Sequence, residues 1–194
     1  MNKWIISAGV VLMLAACSSK PTNVNYYLLH QPASDSKQGS LDISALPAIH
    51  LRSLATPDYL KQRNLSLQTS NSELHFAPQH VWAEDFSNGF AMALSDTLVK
   101  THKIRLHTQT QWTTPGQKEY ILDIQLDDFI PTYDKKLVLK GTYRLELSNL
   151  SPQIVKFSFE LPLNDDGFAS SVSQMRELID LLANDVVSRV EITN

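Results

Sequence analysis

Apolar and polar residues alternate along three consecutive stretches in the second half of the chain. Tyr120, Leu122, Ile124 and Leu126 stand on one side of Asp123, Gln125 and Asp127. Leu137, Leu139, Tyr143, Leu145 and Leu147 oppose Lys136, Lys140, Thr142, Arg144 and Glu146, and Val155, Phe157, Phe159 and Leu161 oppose Lys156, Ser158 and Glu160. A period of two marks a strand with one buried face. The joints Pro131-Thr132-Tyr133-Asp134 and Asn149-Leu150-Ser151-Pro152 are turn-forming, so the pattern predicts an antiparallel meander with one wet face. Shorter strands are expected at Tyr26–Leu29, Ala48–Leu54, Leu65–Thr69, Glu73–Phe76 (closed by Pro78) and Ile104–His107, with polar loops over Gln31–Ser44 and through Pro115-Gly116.

The period changes twice. From Val81 to about Val99, Phe86, Phe90, Ala93, Leu94, Thr97 and Leu98 fall on one face of a helix, opposite Glu84, Asp85, Ser95 and Asp96. Near the end, Ser171-Val172-Ser173-Gln174 offers a capping box, and Met175, Leu178, Ile179, Leu182, Val186 and Val190 continue a helical stripe. Two amphipathic helices can cover the dry face of a mostly antiparallel sheet, which predicts an α+β two-layer sandwich. Both stripes are needed for that cover and neither helix has a Lys/Arg-rich polar face, so they read as core elements.

The first residues have a different character. Lys3 precedes an apolar run from Trp4 to Ala16, too short at 13 residues to span a bilayer and built like a secretory signal. Leu14-Ala15-Ala16-Cys17 resembles the lipobox of bacterial lipoproteins. That resemblance implies cleavage before Cys17 and acylation of the new terminus, the chain's only cysteine, with more than one acyl chain giving a stable anchor. An acylated Cys17 leaves no thiol for a disulfide, a nucleophile or a metal. By analogy with enteric lipoproteins, Ser18 and Ser19 stand where an aspartate would favour inner-membrane retention, so the expected location is the outer membrane, facing the periplasm. The expected organisation is a signal over 1–16, a lipidated tether over 17–25 and one domain over 26–194. The mature part carries 16 basic and 20 acidic residues without long runs of either sign, which gives no indication of a nucleic-acid partner.

Catalytic patterns are sparse. His75/His80 and His102/His107 are each five residues apart, not at metal-ligand spacing on a helix, and no metal site is expected. Asp127-Asp128 and Asp165-Asp166 are neighbours that a strand or turn sends apart or into water. No Gly-x-Ser-x-Gly elbow or phosphate-cradling glycine loop occurs, and the expectation is a non-enzyme with no cofactor beyond the covalent lipid on Cys17.

Tyr26-Tyr27-Leu28-Leu29 after a lipobox, Pro57-Asp58-Tyr59-Leu60, and Val81-Trp82-Ala83-Glu84-Asp85 opening a helix before a meander and a closing amphipathic helix resemble the ABC-type transport auxiliary lipoproteins. The resemblance implies a docking component at the outer membrane that works with MCE-domain membrane proteins moving phospholipid or other hydrophobic molecules between membranes, and a homo-oligomer if that partner is a ring. Tyr26, Tyr27 and Trp82 are the candidate partner-binding residues. Tyr26 to Leu29 nevertheless read first as a buried first strand, and Trp82 as a filler between helix and sheet ahead of an interface anchor. A lipid-binding shuttle with an apolar pocket and a periplasmic hydrolase remain as alternative functions.

Overall fold

The computed structural model describes residues 23–32, 42–108, 120–147, 151–163 and 167–192. The lipobox with Cys17, most of the Gln31–Ser44 loop, the Pro115-Gly116 loop, Asn149-Leu150 and Asp165-Asp166 lie outside the described residues.

The meander is present as expected. Strands β6 (Tyr120–Pro131), β7 (Lys136–Leu147) and β8 (Gln153–Pro162) pair antiparallel, with Ile124 opposite Tyr143 and Tyr143 opposite Val155. Between β6 and β7 the chain turns through Lys135, whose φ of 59° is left-handed, and the Thr132 hydroxyl accepts from the Lys136 N–H. Two further strands extend the sheet beyond the meander. Strand β2 (Ala48–Ala55) runs parallel to both β6 and β5 (Arg105–Thr108), giving the order β5-β2-β6-β7-β8.

A second, three-stranded sheet has the order β1-β4-β3. Strand β1 (Asn25–Tyr27) pairs parallel with β4 (Glu73–Trp82), which forms an antiparallel hairpin with β3 (Asn64–Ser70). Strand β4 is longer than its sequence suggests, because it runs through Pro78. The pairing with β3 breaks register between Phe76 and Val81, where the missing proline N–H interrupts no regular ladder, and the Asn64 side chain donates to the Ala77 carbonyl at 3.0 Å.

Helix α1 (Phe86–Thr97) starts at the first residue of its apolar stripe, later than the Val81 start expected for the helical segment. Val81 and Trp82 finish β4, and Asp85 caps the helix by accepting from the N–H groups of Ser87 (2.9 Å) and Asn88 (3.3 Å). A π-helical turn over Leu98–His102 follows, closed by Lys103 at φ 57°. Helix α2 (Phe168–Ile192) begins before the expected capping box: Ser171 lies within it, and its hydroxyl donates to the Gly167 carbonyl. Every apolar residue of the α2 stripe from Met175 to Val190 is buried.

The two helices touch each other and lie on the same face of the five-stranded sheet, α1 against β5 and α2 against β6, β7 and β8. The core lies between these layers, around Phe90, Leu94, Leu122, Phe129, Leu139, Tyr143, Leu178 and Leu182. Buried tyrosines fasten the layers through polar bonds. The Tyr120 hydroxyl donates to the Val190 carbonyl at 3.1 Å, and the Tyr143 hydroxyl donates to the Asp185 carboxylate. The protein is thus an α+β two-layer sandwich in which antiparallel pairs supply most of the ladder and β2 adds a parallel flank.

Candidate functional site

The three candidate partner-binding residues lie on adjoining strands of the small sheet, with Tyr26 opposite Val81 and Tyr27 opposite Trp82. Their surroundings differ sharply. Tyr26 is 60% exposed, with the Arg63 guanidinium 5.4 Å above its ring, and of the three it alone presents a broad surface. Tyr27 is half-buried, hydrogen-bonded through its hydroxyl to His80 Nδ1 at 2.8 Å. His80 in turn stacks on Phe168 at 4.0 Å, so strands β1 and β4 meet the start of α2 through three rings. Trp82 is 5% exposed and sits edge-on to Phe86, in the place of a filler between helix and sheet.

Beyond β1 the chain is held by side chains whose pairing periodicity does not reveal. Arg176 of α2 donates from Nε to the Leu29 carbonyl and from Nη2 to the Leu28 carbonyl, both at 2.8 Å, and burial lowers its pKa. His30 lies 2.8 Å from Glu84 just before α1, and Leu29 is fully buried. An arginine beside the apolar stripe of α2 and a histidine after a short strand were the available signals, and neither names its partner.

The wet face of the large sheet carries a ladder of paired charges. Arg52 makes a two-pronged contact with Asp123, whose carboxyl is held below the usual range by that guanidinium. Arg144 meets Glu146 at 2.8 Å, and Glu160 takes Lys136 at 3.2 Å and Lys140 at 3.5 Å. Among the described residues Lys156 makes no ion pair. These charges are five cations, Arg52, Lys136, Lys140, Arg144 and Lys156, against three carboxylates, Asp123, Glu146 and Glu160, so the pairing leaves this part of the face with a cationic excess.

Three recesses among the described residues differ in size and lining. A groove of about 290 Å³ between the helices is lined by His30, Asp96, Lys100, Arg176 and Asp180, with both charge signs represented. A broader recess of about 620 Å³ beside α1 is lined by Glu84, Asn88, Met92 and Asp96. The apolar crevice between the small sheet and α2, around Leu65, Trp82, Phe129 and Met175, measures only about 10 Å³, which holds at most one water. Among the described residues no three His, Cys, Asp or Glu side chains gather as a metal site requires, and no helix is long and apolar enough to cross a membrane.

The sequence pattern of a family described as the ABC-type transport auxiliary lipoprotein component matches residues 27–187. The chain belongs to that family. The match runs from β1 into the last turns of α2, so the auxiliary-lipoprotein domain includes both sheets and both helices. Among relatives, the intermembrane transport lipoprotein PqiC of Escherichia coli (strain K12) is 28% identical over 162 residues, covering 83% of this chain and 81% of that protein. PqiC of Shigella flexneri matches to the same extent. The fold recurs in the crystal structure of an uncharacterized protein, with a TM-score of 0.65 at 20% identity over 87% of this chain and 99% of that one. A protein of Xanthomonas campestris shares it with a TM-score of 0.58 at 11% identity over 73% of this chain and 81% of that one. This auxiliary lipoprotein therefore has the architecture expected of it, and its family assigns a supporting role in ABC-type transport.

Proposed function

We propose that this auxiliary lipoprotein is a non-enzymatic docking component of an intermembrane lipid transport system, anchored in the outer membrane through Cys17, facing the periplasm and engaging an MCE-domain membrane protein as a multimer. The observation that carries the reading is the family match over residues 27–187, together with the likeness to a lipoprotein named for intermembrane transport. One feature of the site supports docking: Tyr26 offers an exposed aromatic surface next to the point where the tether joins the domain. Cys17 to Tyr26 spans nine residues, up to roughly 30 Å extended, which keeps the domain close to the leaflet that holds it.

The test is a crosslinked pull-down from membranes with the full chain as bait, reading protein and lipid in the eluate by mass spectrometry. Recovery of an MCE-domain protein with wild type, reduced several-fold by Tyr26→Ala and lost with Cys17→Ala, supports docking. Lipid recovered without a protein partner overturns it in favour of a shuttle.

A further inference from the structure

Three exposed large hydrophobic residues lie at the β3–β4 hairpin and the turn bound to its tip, Leu74 (39% exposed), Phe76 (40%) and Tyr133 (52%), while Val24 and Tyr26 are exposed towards the other end of β4. Leu74 and Phe76 are two apart on β4, so they share a face of the hairpin opposite to Glu73 and His75. The Tyr133 hydroxyl bonds the Asn71 side chain at the hairpin turn, which draws the β6–β7 turn to the same tip. These side chains lie beyond the region covered by the helices, where an apolar patch on a monomer marks a contact surface.

The direction of β1 indicates what that surface meets. Because β1 is parallel to β4 with Asn25 opposite His80, the backbone enters β1 from the side of the hairpin tip. Cys17 precedes Asn25 by eight residues, a maximum reach of about 28 Å. From His80 back to Ser72 at the tip is also eight residues, about 26 Å as strand and less through the break in register. The two lengths match, so a tether drawn along the strand direction brings the hairpin tip level with Cys17.

We infer that the β3–β4 hairpin tip, through Leu74, Phe76 and Tyr133, rests in the interfacial layer of the phospholipid leaflet that holds the Cys17 anchor. This inference rests on the anchored reading proposed above. A leucine, a phenylalanine and a tyrosine suit a surface that is apolar on one side and wet on the other, and the tyrosine hydroxyl already has a partner. Lipid contact at the tip fixes the domain's orientation, with β1 and β4 directed away from the membrane and Tyr26 held above it.

The test places single nitroxide labels on the full lipidated chain in vesicles of phosphatidylethanolamine and phosphatidylglycerol, at Leu74→Cys, Phe76→Cys and, on α1, Met92→Cys. Acylation blocks Cys17, so each variant carries one reactive thiol, at an already exposed position. The expected result is a several-fold rise in oxygen over nickel-chelate accessibility at residues 74 and 76 on vesicle binding, with no change at 92. A chain that floats with vesicles while residues 74 and 76 stay as water-exposed as 92 overturns the hairpin contact and leaves the anchor standing. A chain that does not float, with Cys17 itself open to the label, overturns the anchor and the contact together.

Discussion

Gly141 occupies a dry-face position on the central strand of the meander, between Leu139 and Tyr143 and opposite Phe157. A Cβ added there would lie 2.3 Å from the Gln125 carbonyl oxygen and 2.8 Å from the end of the Phe157 ring, whereas such contacts essentially never fall below 3.0 Å. The ring can swing away. The carbonyl cannot, because β7 is paired on both sides by β6 and β8 and the oxygen belongs to the β6 backbone. Gly141→Ala must therefore displace backbone by roughly 0.7 Å within a packed layer, at a cost near the top of the usual overpacking range, about 3 kcal/mol. For a chain of this size each kcal/mol moves Tm by roughly 2–4 °C, so the melting temperature followed by circular dichroism should fall by about 6–12 °C. Adding Phe157→Leu relieves only the ring contact, and the double variant should recover less than half of the loss. An alanine variant that melts within about 1 °C of wild type would refute the steric reasoning.

Three further outcomes are expected. Asp85→Ala removes the acceptor for the Ser87 and Asn88 N–H groups and should lower stability in urea titration by about 1 kcal/mol without changing the m-value. Tyr59 accepts from the Phe129 N–H at 2.9 Å, and burial pushes its phenol up to about 12, above its unfolded value near 10. Its contribution is therefore fully present below about pH 10 and lost as pH rises towards 12. Tyr59→Phe should cost about 1 kcal/mol at neutral pH and flatten alkaline unfolding across that window, and an unchanged alkaline slope would contradict the assignment. Arg176→Met deletes both bonds to the Leu28 and Leu29 carbonyls, and hydrogen exchange over residues 27–32 should accelerate at least ~10-fold while β6 and β7 keep their protection.

The meander and both helical stripes were legible because each residue's burial there follows from its own position in a period of two or of 3.6. Leu122, Ile124, Tyr143, Phe157 and Leu182 are where that rule puts them. The parallel flank was not legible: β2 pairs with β5 and β6, more than fifty residues away, and no local period encodes which strand a neighbour will be. Pro78 misled for a definite reason. It signals a strand end through its missing N–H, and here it falls where the pairing is already irregular. The helix starts shifted because Asp85, read as part of a polar face, serves as the cap, whereas Ser171, read as a cap, bonds back to Gly167. At the candidate site, the tyrosines and the tryptophan were visible as residue types, but the exposure of Tyr26 and the burial of Trp82 depend on which strands β1 and β4 join.

The parallel pairing of β1 with β4 also has a mechanical meaning. A pull at the N-terminus, directed along the strand towards the hairpin tip, loads the β1–β4 bonds in shear, all at once, instead of peeling them one at a time from an end. The Ala83 N–H bond to the Tyr27 carbonyl and the two Arg176 bonds lie just downstream and share the same load. Three residues of strand thus join the chain before Asn25 to the domain in the orientation that resists force best.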